Sequence, residues 1–180
     1  YGGGIRYVCG GIATFLLILV LMKLIMFPEM IKEDFKNPIL ASVAATFPMA
    51  LMLLSTYIKP FIGVGAKYIW YFAIGLHIIL IVYFTIKFLL KLQMPKVFAS
   101  YFIVYVGIAV AAVTAPAFEE LAIGAGAFWF GFLTLIGLLV LVTIRYMKYK
   151  EIPEPAKPLF CIYAAPTSLC VAGYVQSVTP

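Results

Sequence analysis

Six long apolar runs alternate with short polar stretches along the 180-residue chain. Each run is about 20 residues long, which is the length that an α-helix needs to cross the hydrocarbon core of a bilayer. An open sheet would leave backbone groups unpaired in lipid, so we expect every run to be a helix. We call the runs segments A to F, and they cover residues 5–27, 38–58, 68–90, 97–115, 121–144 and 159–178.

Basic residues concentrate in three of the polar stretches. Ten of the thirteen fall there, namely Lys23, Lys32, Lys36, Lys87, Lys91, Lys96, Arg145, Lys148, Lys150 and Lys157. Because cytoplasmic loops carry the excess of basic residues, we expect loops 28–37, 91–96 and 145–158 to be cytoplasmic in a multi-pass plasma-membrane protein. Segment A then runs from outside to inside, so we expect a longer protein with an odd number of helices before Tyr1.

Proline separates the segments that leave the cytoplasm from those that return. The outgoing segments B and F carry Pro48 and Pro166 inside the run, D carries Gly107, and the returning segments A, C and E contain no proline. An internal proline removes a backbone hydrogen bond and bends a helix. We therefore expect repeated helical hairpins with kinked inner helices around a pore and straight outer helices. The alternative is ordinary transmembrane proline without a pore.

The hydroxyl and small side chains of B, D and F predict which residues line that pore. The candidates recur at helical spacing, and they are Ser42, Thr46 and Met49 in B, Ser100, Gly107, Ala111 and Thr114 in D, and Tyr163, Thr167 and Tyr174 in F. Phe47 could narrow the pore or pack against lipid, and any of the candidates could serve plain helix packing. No charged residue lies in the middle of these segments, so we expect a neutral path suited to an anion.

Composition restricts the other functions open to the chain. With 65% hydrophobic and 11% charged residues, a soluble domain of this size could not bury its apolar surface. The net charge of +6 is spread over loops, so we expect a lipid bilayer and a small anion as partners, and no nucleic acid. The three cysteines lack metal-ligand spacing and no nucleotide motif is present, so we expect neither metal nor cofactor.

Three ionisable residues suggest the alternatives to transport. His77 lies alone in the middle of C, where it is either a packed, hydrogen-bonded side chain or a functional group. Glu119 and Glu120 precede E, where acidic residues favour the positive end of a helix. An intramembrane enzyme using these three residues is one alternative, although they are expected at different depths. A non-conducting structural membrane subunit is the other, and we expect no enzyme.

Four stretches of the chain resemble the tellurite-resistance/dicarboxylate transporter family. The family comprises the TehA-like proteins related to plant slow-type anion channels, yeast malate permease and sulfite efflux pumps. The stretches are 37–55, which includes Phe47 and Pro48, and 105–116, 124–129 and 165–174. Individually they are apolar and loose, but their order and spacing together favour the family over most of the chain.

The resemblance implies an architecture, an assembly and a class of substrate. It implies ten helices in five hairpins, cytoplasmic termini, a pore lined by the odd-numbered kinked helices, and a homotrimer with a pore in each protomer. Segments A to F resemble family helices two to seven, so that B, D and F correspond to pore helices. The family's gating phenylalanine lies on the ninth helix, and Phe47 does not match it. The substrates implied are C4-dicarboxylates, sulfite or tellurite-like oxyanions, carried by a channel or a secondary transporter.

Overall fold

The computed structural model describes residues 2–149 and 154–179, and every regular element in these residues is a helix. Six helical spans are long and apolar enough to cross a membrane, and they correspond to segments A to F. The all-α integral membrane fold predicted from the sequence is therefore confirmed. The α-helices are α1 (Gly2–Met26), α2 (Pro28–Asp34), α3 (Pro38–Val43), α4 (Thr46–Ile62), α5 (Val64–Phe84), α6 (Tyr101–Tyr105), α7 (Ala109–Thr114), α8 (Leu121–Lys148) and α9 (Ala164–Ser177).

Several boundaries differ from those predicted. Segment C begins at Val64 rather than at residue 68, because a single residue, Gly63, turns the chain between α4 and α5. Its φ of 54° is a conformation that glycine adopts without steric cost. Segment E continues to Lys148, and the loop after A contains the short helix α2. Segment F begins as a 3₁₀ helix, Glu154–Tyr163, and becomes α-helical only at Ala164.

The interruption in segment B is caused by the backbone chemistry of proline. Pro48 lies in the first turn of α4 and has no N–H with which to bond the carbonyl of Ala44, four residues earlier. That carbonyl instead accepts from the N–H of Phe47 at 3.1 Å. The helix is consequently divided into α3 and α4 at residues 44 and 45.

Segments D and F are interrupted as well, whereas the returning segments are continuous. In D, a 3₁₀ turn, Val106–Ile108, surrounds Gly107 and separates α6 from α7, and a second one, Ala115–Phe118, contains Pro116. In F, Pro166 lies in the first turn of α9, just after the 3₁₀ helix. The helices α1 and α8 run without a break, and α5 passes at its end into a π turn, Thr85–Leu89.

Segment D forms the centre of the bundle. In its most apolar window 78% of the residues are buried, compared with 33% or less in the other five segments. α7 packs against α4, α8 and α9, which places D between B and F. Its small residues allow this close packing, because helices approach one another most closely where side chains are short. These residues are Gly107, Ala109, Ala111, Ala112 and Ala115.

The two ends of the bundle carry different charges. Lys87 Nζ donates to the carbonyl of Phe35 at 2.8 Å, and Arg145 Nη2 donates to that of Pro95 at 3.1 Å. These bonds bring the three basic stretches of the sequence to one end. At the other end, Lys67 forms a 2.5 Å ion pair with Glu120. The three basic stretches on which the predicted orientation depends therefore lie together at one end of the bundle.

Gly124 provides a test of the packing between D, E and F. A methyl group at this position of α8 would lie 2.6 Å from the Cβ of Ala115 and would also collide with Ser177. Gly126, two residues further on, has no atom within 4 Å of the same point. We expect Gly124→Ala to cost roughly 1–3 kcal/mol of stability, as overpacking does. In thermal unfolding in detergent, its midpoint should fall by several degrees, whereas Gly126→Ala should leave it unchanged or raise it slightly, because alanine favours a helix more than glycine does. Equal midpoints for the two variants would contradict this packing.

Candidate functional site

A small cavity lies where the three interrupted segments meet. It is bounded by Met49 from B, by one face of D around Gly107, and by the start of α9 around Pro166. We call it the three-segment cavity. Its volume is about 80 Å³, which is space for roughly two or three water molecules. The lining residues are Met49, Phe102, Ile103, Val106, Gly107, Ile162, Ala165, Pro166 and Leu169.

At Gly107, beside this cavity, side chains of segments B and C pack directly against the backbone of D. A methyl group there would lie 2.7 Å from the Sδ of Met49 and 3.0 Å from the Cε1 of His77. Segments B and C therefore reach the backbone of D at the residue where D changes from α-helix to 3₁₀ turn. Only glycine leaves room for both side chains, because any Cβ would occupy the space that they fill.

Carbonyl groups freed by the interruptions of D accept hydrogen bonds from its neighbours. Pro116 has no N–H for the carbonyl of Ala112, four residues earlier, and Ser177 Oγ of segment F donates to that carbonyl instead. His77 Nε2 of segment C lies 2.8 Å from the carbonyl oxygen of Val104, just before the central 3₁₀ turn. At the end of D, Lys59 Nζ of segment B donates to the carbonyl of Ala117.

His77 is a fully buried side chain with one satisfied and one unsatisfied nitrogen. Since a carbonyl oxygen only accepts, Nε2 carries the proton in the bond to Val104. Nδ1 has no hydrogen-bond partner among the described residues. The sequence left open whether this histidine is packed or functional. In the structure it is packed and hydrogen-bonded to the backbone of D, directly beside Gly107.

Glu120 belongs to a separate cluster at the end of the bundle. Its carboxylate accepts from Lys67 Nζ at 2.5 Å and from the Tyr71 hydroxyl at 2.6 Å. These two bonds hold the pKa of Glu120 below its usual value, so the carboxylate remains ionised at neutral pH. Tyr71 and His77 are six residues apart on α5, a rise of about 9 Å along the axis. Glu120 and His77 therefore do not form one site.

The candidates from segment B point in different directions. Met49 lines the three-segment cavity. Ser42 is buried, and its hydroxyl donates to the carbonyl of Ile39 within its own helix. Thr46 and Phe47 face the other way, into an open crevice between α1, α2 and α4 with a volume of about 450 Å³. The structure thus brings one of the four B candidates to the cavity.

Most of the candidates from D are buried in contacts between helices. Gly107 lines the cavity, whereas Ser100 and Ala111 are fully buried between helices. Thr114 accepts a 2.7 Å hydrogen bond from the indole nitrogen of Trp70, which joins D to C. The hydroxyl of Ser100 has no hydrogen-bond partner in the described part of the chain.

The candidates from F lie along its less buried face. The ring of Tyr163 packs edge-on against Phe102 of D, with ring centroids 5.4 Å apart. Thr167 is exposed, and its hydroxyl donates to the carbonyl of Tyr163 at 3.3 Å. Tyr174 is partly exposed and contacts Phe128. Pro166, predicted as the kink, lines the cavity and is buried.

Sequence reasoning missed the residues that hold D in place. They are Ser177 of F, Lys59 of B and Trp70 of C. Pro116 provided the signal for Ser177, because it leaves the carbonyl of residue 112 without a helical partner. The identity of each donor depends on the neighbouring helix, which the sequence of D does not contain.

The residues described contain no group of three or more histidine, cysteine, aspartate or glutamate side chains placed to hold a metal ion. The cavity lining in the same part of the chain consists of apolar residues.

Comparison with known proteins assigns the chain to a family. A comparison with individual curated proteins finds no match. The sequence profile of the voltage-dependent anion channel family matches residues 5–179, which is nearly the entire chain. This match agrees with the resemblance noted from the proline-containing stretches. The chain therefore belongs to the voltage-dependent anion channel family, and it is a multi-pass membrane protein of a family that transports anions.

Proposed function

We propose that segments B, D and F of this chain line a path for small anions, and that the three-segment cavity is its narrow part. The observation that supports this is the convergence of all three interrupted segments on one cavity. Met49, next to the Pro48 break, lies there together with Gly107 and Pro166. Irregular backbone inside a membrane is tolerated where it is packed in protein or lines a water-filled space.

The charge distribution favours anions over cations. Basic residues exceed acidic residues by six in the chain, and the described lining of the cavity contains no acidic side chain. A cation filter is usually built from rings of acidic side chains. The lysines at the basic end of the bundle raise the local concentration of anions, because clefts with one sign of charge attract the opposite ion.

In its present form the cavity is a narrow, partly open groove lined by apolar side chains. A volume of about 80 Å³ is smaller than a dicarboxylate, and the apolar lining disfavours water. Conduction therefore requires B, D and F to move apart. Their breaks allow such a movement, because each segment consists of two helical pieces that can shift relative to each other.

We propose the finer points on the strength of the family resemblance. The substrates are C4-dicarboxylates, sulfite or tellurite-like oxyanions, and the protein acts as a channel or secondary transporter. It forms a homotrimer in the plasma membrane with loops 28–37, 91–96 and 145–158 in the cytoplasm. We propose no enzyme activity, because His77 and Glu120 belong to separate clusters.

Ion selectivity provides the first test. The full-length protein containing this chain is reconstituted in a planar bilayer under a potassium chloride gradient. We expect the reversal potential to lie near the equilibrium potential of chloride, because the path is neutral and its mouth is basic. Bilayers with protein-free vesicles provide the baseline. A reversal potential near that of potassium would reject the proposal.

Gly107→Ala tests whether the cavity is the narrow part. The added methyl group must displace Met49 or His77, which lie 2.7 Å and 3.0 Å from it. Met49 lines the cavity, so its displacement changes the width of this space, and we expect a lower anion conductance in the variant than in the wild type. Gly75→Ala, on α5, is the matched control because no atom lies within 4 Å of its added methyl group. Equal conductance in both variants would show that the narrow part is elsewhere.

Cysteine labelling separates a pore from a non-conducting scaffold. In a variant with Cys9, Cys161 and Cys170 replaced by serine, single cysteines are introduced at cavity residues Ile103 and Ala165. We expect a membrane-impermeant thiol reagent to label both, and permeant anions to slow the labelling. Ile79→Cys, on the exposed face of α5, is the control and should remain unlabelled. Labelling confined to the control position, or absent at both cavity positions, would favour a scaffold.

A further inference from the structure

A second, much larger cavity lies at the basic end of the bundle. Its volume is about 730 Å³, and its walls come from the connection before B, the end of C and the start of D. Four lysines line it, namely Lys36, Lys87, Lys91 and Lys96. We call it the lysine basin. Its lining residues and those of the three-segment cavity do not overlap.

The lysine basin has a large excess of positive charge. Glu33 is the one acidic residue among the described residues that line it, and it pairs with Lys36 at 2.5 Å. Lys91 and Lys96 are exposed, and neither has an acidic partner in the described part of the chain. Four positive charges therefore face one negative charge, and among the described residues three of the four, Lys87, Lys91 and Lys96, have no carboxylate partner.

The basin is built into the fold rather than assembled from loose surface side chains. Lys87 is half-buried, and its Nζ donates to the Phe35 carbonyl at 2.8 Å and to the Tyr83 hydroxyl at 2.5 Å. It belongs to the π turn Thr85–Leu89 at the end of C. Lys91 lies in the turn just beyond this element and lines the same cavity. π turns of this kind are frequent at functional sites.

The depth and chemistry of the basin suit a phosphate group at the membrane surface. The apolar side chains of Ile39, Phe88 and Phe98 share its lining with the lysines. Spans B and C meet the basin at their ends, Pro38 and Leu89, where lipid headgroups lie. Basic pockets between transmembrane helices bind the phosphate headgroups of anionic lipids. Lysine ammonium groups bind phosphate as point charges without requiring a fixed planar geometry.

We infer that the lysine basin is a binding site for a phosphate-bearing anion, held by Lys91 and Lys96 above the fixed Lys87. The ligand bridges the starts of B and D and the end of C. The same chemistry is offered by an anionic phospholipid headgroup and by free phosphate. Binding to the folded state alone raises its stability, so the site has a readout that is independent of ion conduction.

The experiment compares two double variants of the purified full-length protein in a neutral detergent. Lys91→Gln with Lys96→Gln removes two basin charges, and Lys32→Gln with Lys148→Gln removes two exposed charges outside the basin. Thermal unfolding is measured with phosphatidylglycerol, with phosphatidylcholine, and with sodium phosphate against sodium chloride of equal ionic strength. We expect a phosphate ligand to raise the midpoint of the wild type and of the outside variant by about 3 °C or more. The basin variant should lose most of this rise.

The arms of the experiment distinguish the sources of the ligand. A rise with phosphatidylglycerol but not with sodium phosphate assigns the site to a lipid headgroup, whereas a rise with both shows that the phosphate group suffices. Two results would overturn the inference. One is the absence of any rise over phosphatidylcholine and sodium chloride in the wild type. The other is an equal loss of the rise in both double variants, since that would reflect net charge alone.

Discussion

The structure depends on one constraint, that a backbone carbonyl freed inside a membrane must find another hydrogen-bond donor. Segment D meets this constraint at two positions inside the span and bonds a third carbonyl, that of Ala117, at its end, with donors from three different segments. His77 of C donates to Val104, Ser177 of F donates to Ala112, and Lys59 of B donates to Ala117. The interruptions therefore fix which helices surround D, because each neighbour supplies a group that lipid could not replace.

The same interruptions connect the fold to the proposed path. Where D changes to a 3₁₀ turn, Gly107 allows Met49 and His77 to reach its backbone, and the three-segment cavity opens beside this point. A continuous helix would not bring Gly107, Met49 and Pro166 to one cavity in this way, because each lies at or beside a break in its segment.

The sequence predicted the fold and the alternation of helix types but only part of the site. Proline positions and segment lengths are local properties, so the six spans and the breaks near Pro48 and Pro166 followed from them. The hydrogen-bond partners of the hydroxyl groups could not be predicted in this way, because serine and threonine within a helix can donate to the backbone of their own helix. Ser42 donates to the carbonyl of Ile39, and Thr167 donates to that of Tyr163. These bonds within one helix do not indicate that either residue lines a pore. The one-residue turn at Gly63 and the donors to D depend on tertiary packing, which no periodicity encodes.

The central claim is that anions pass where the breaks of B, D and F converge. The most direct measurement is the anomalous X-ray scattering of bromide in crystals of the full-length protein grown in lipid and soaked in sodium bromide. The account predicts a bromide peak in the three-segment cavity, within contact of Gly107 or Pro166. Bromide peaks only at the outer lysines, with the space around Gly107 empty and walled off from both surfaces, would contradict it.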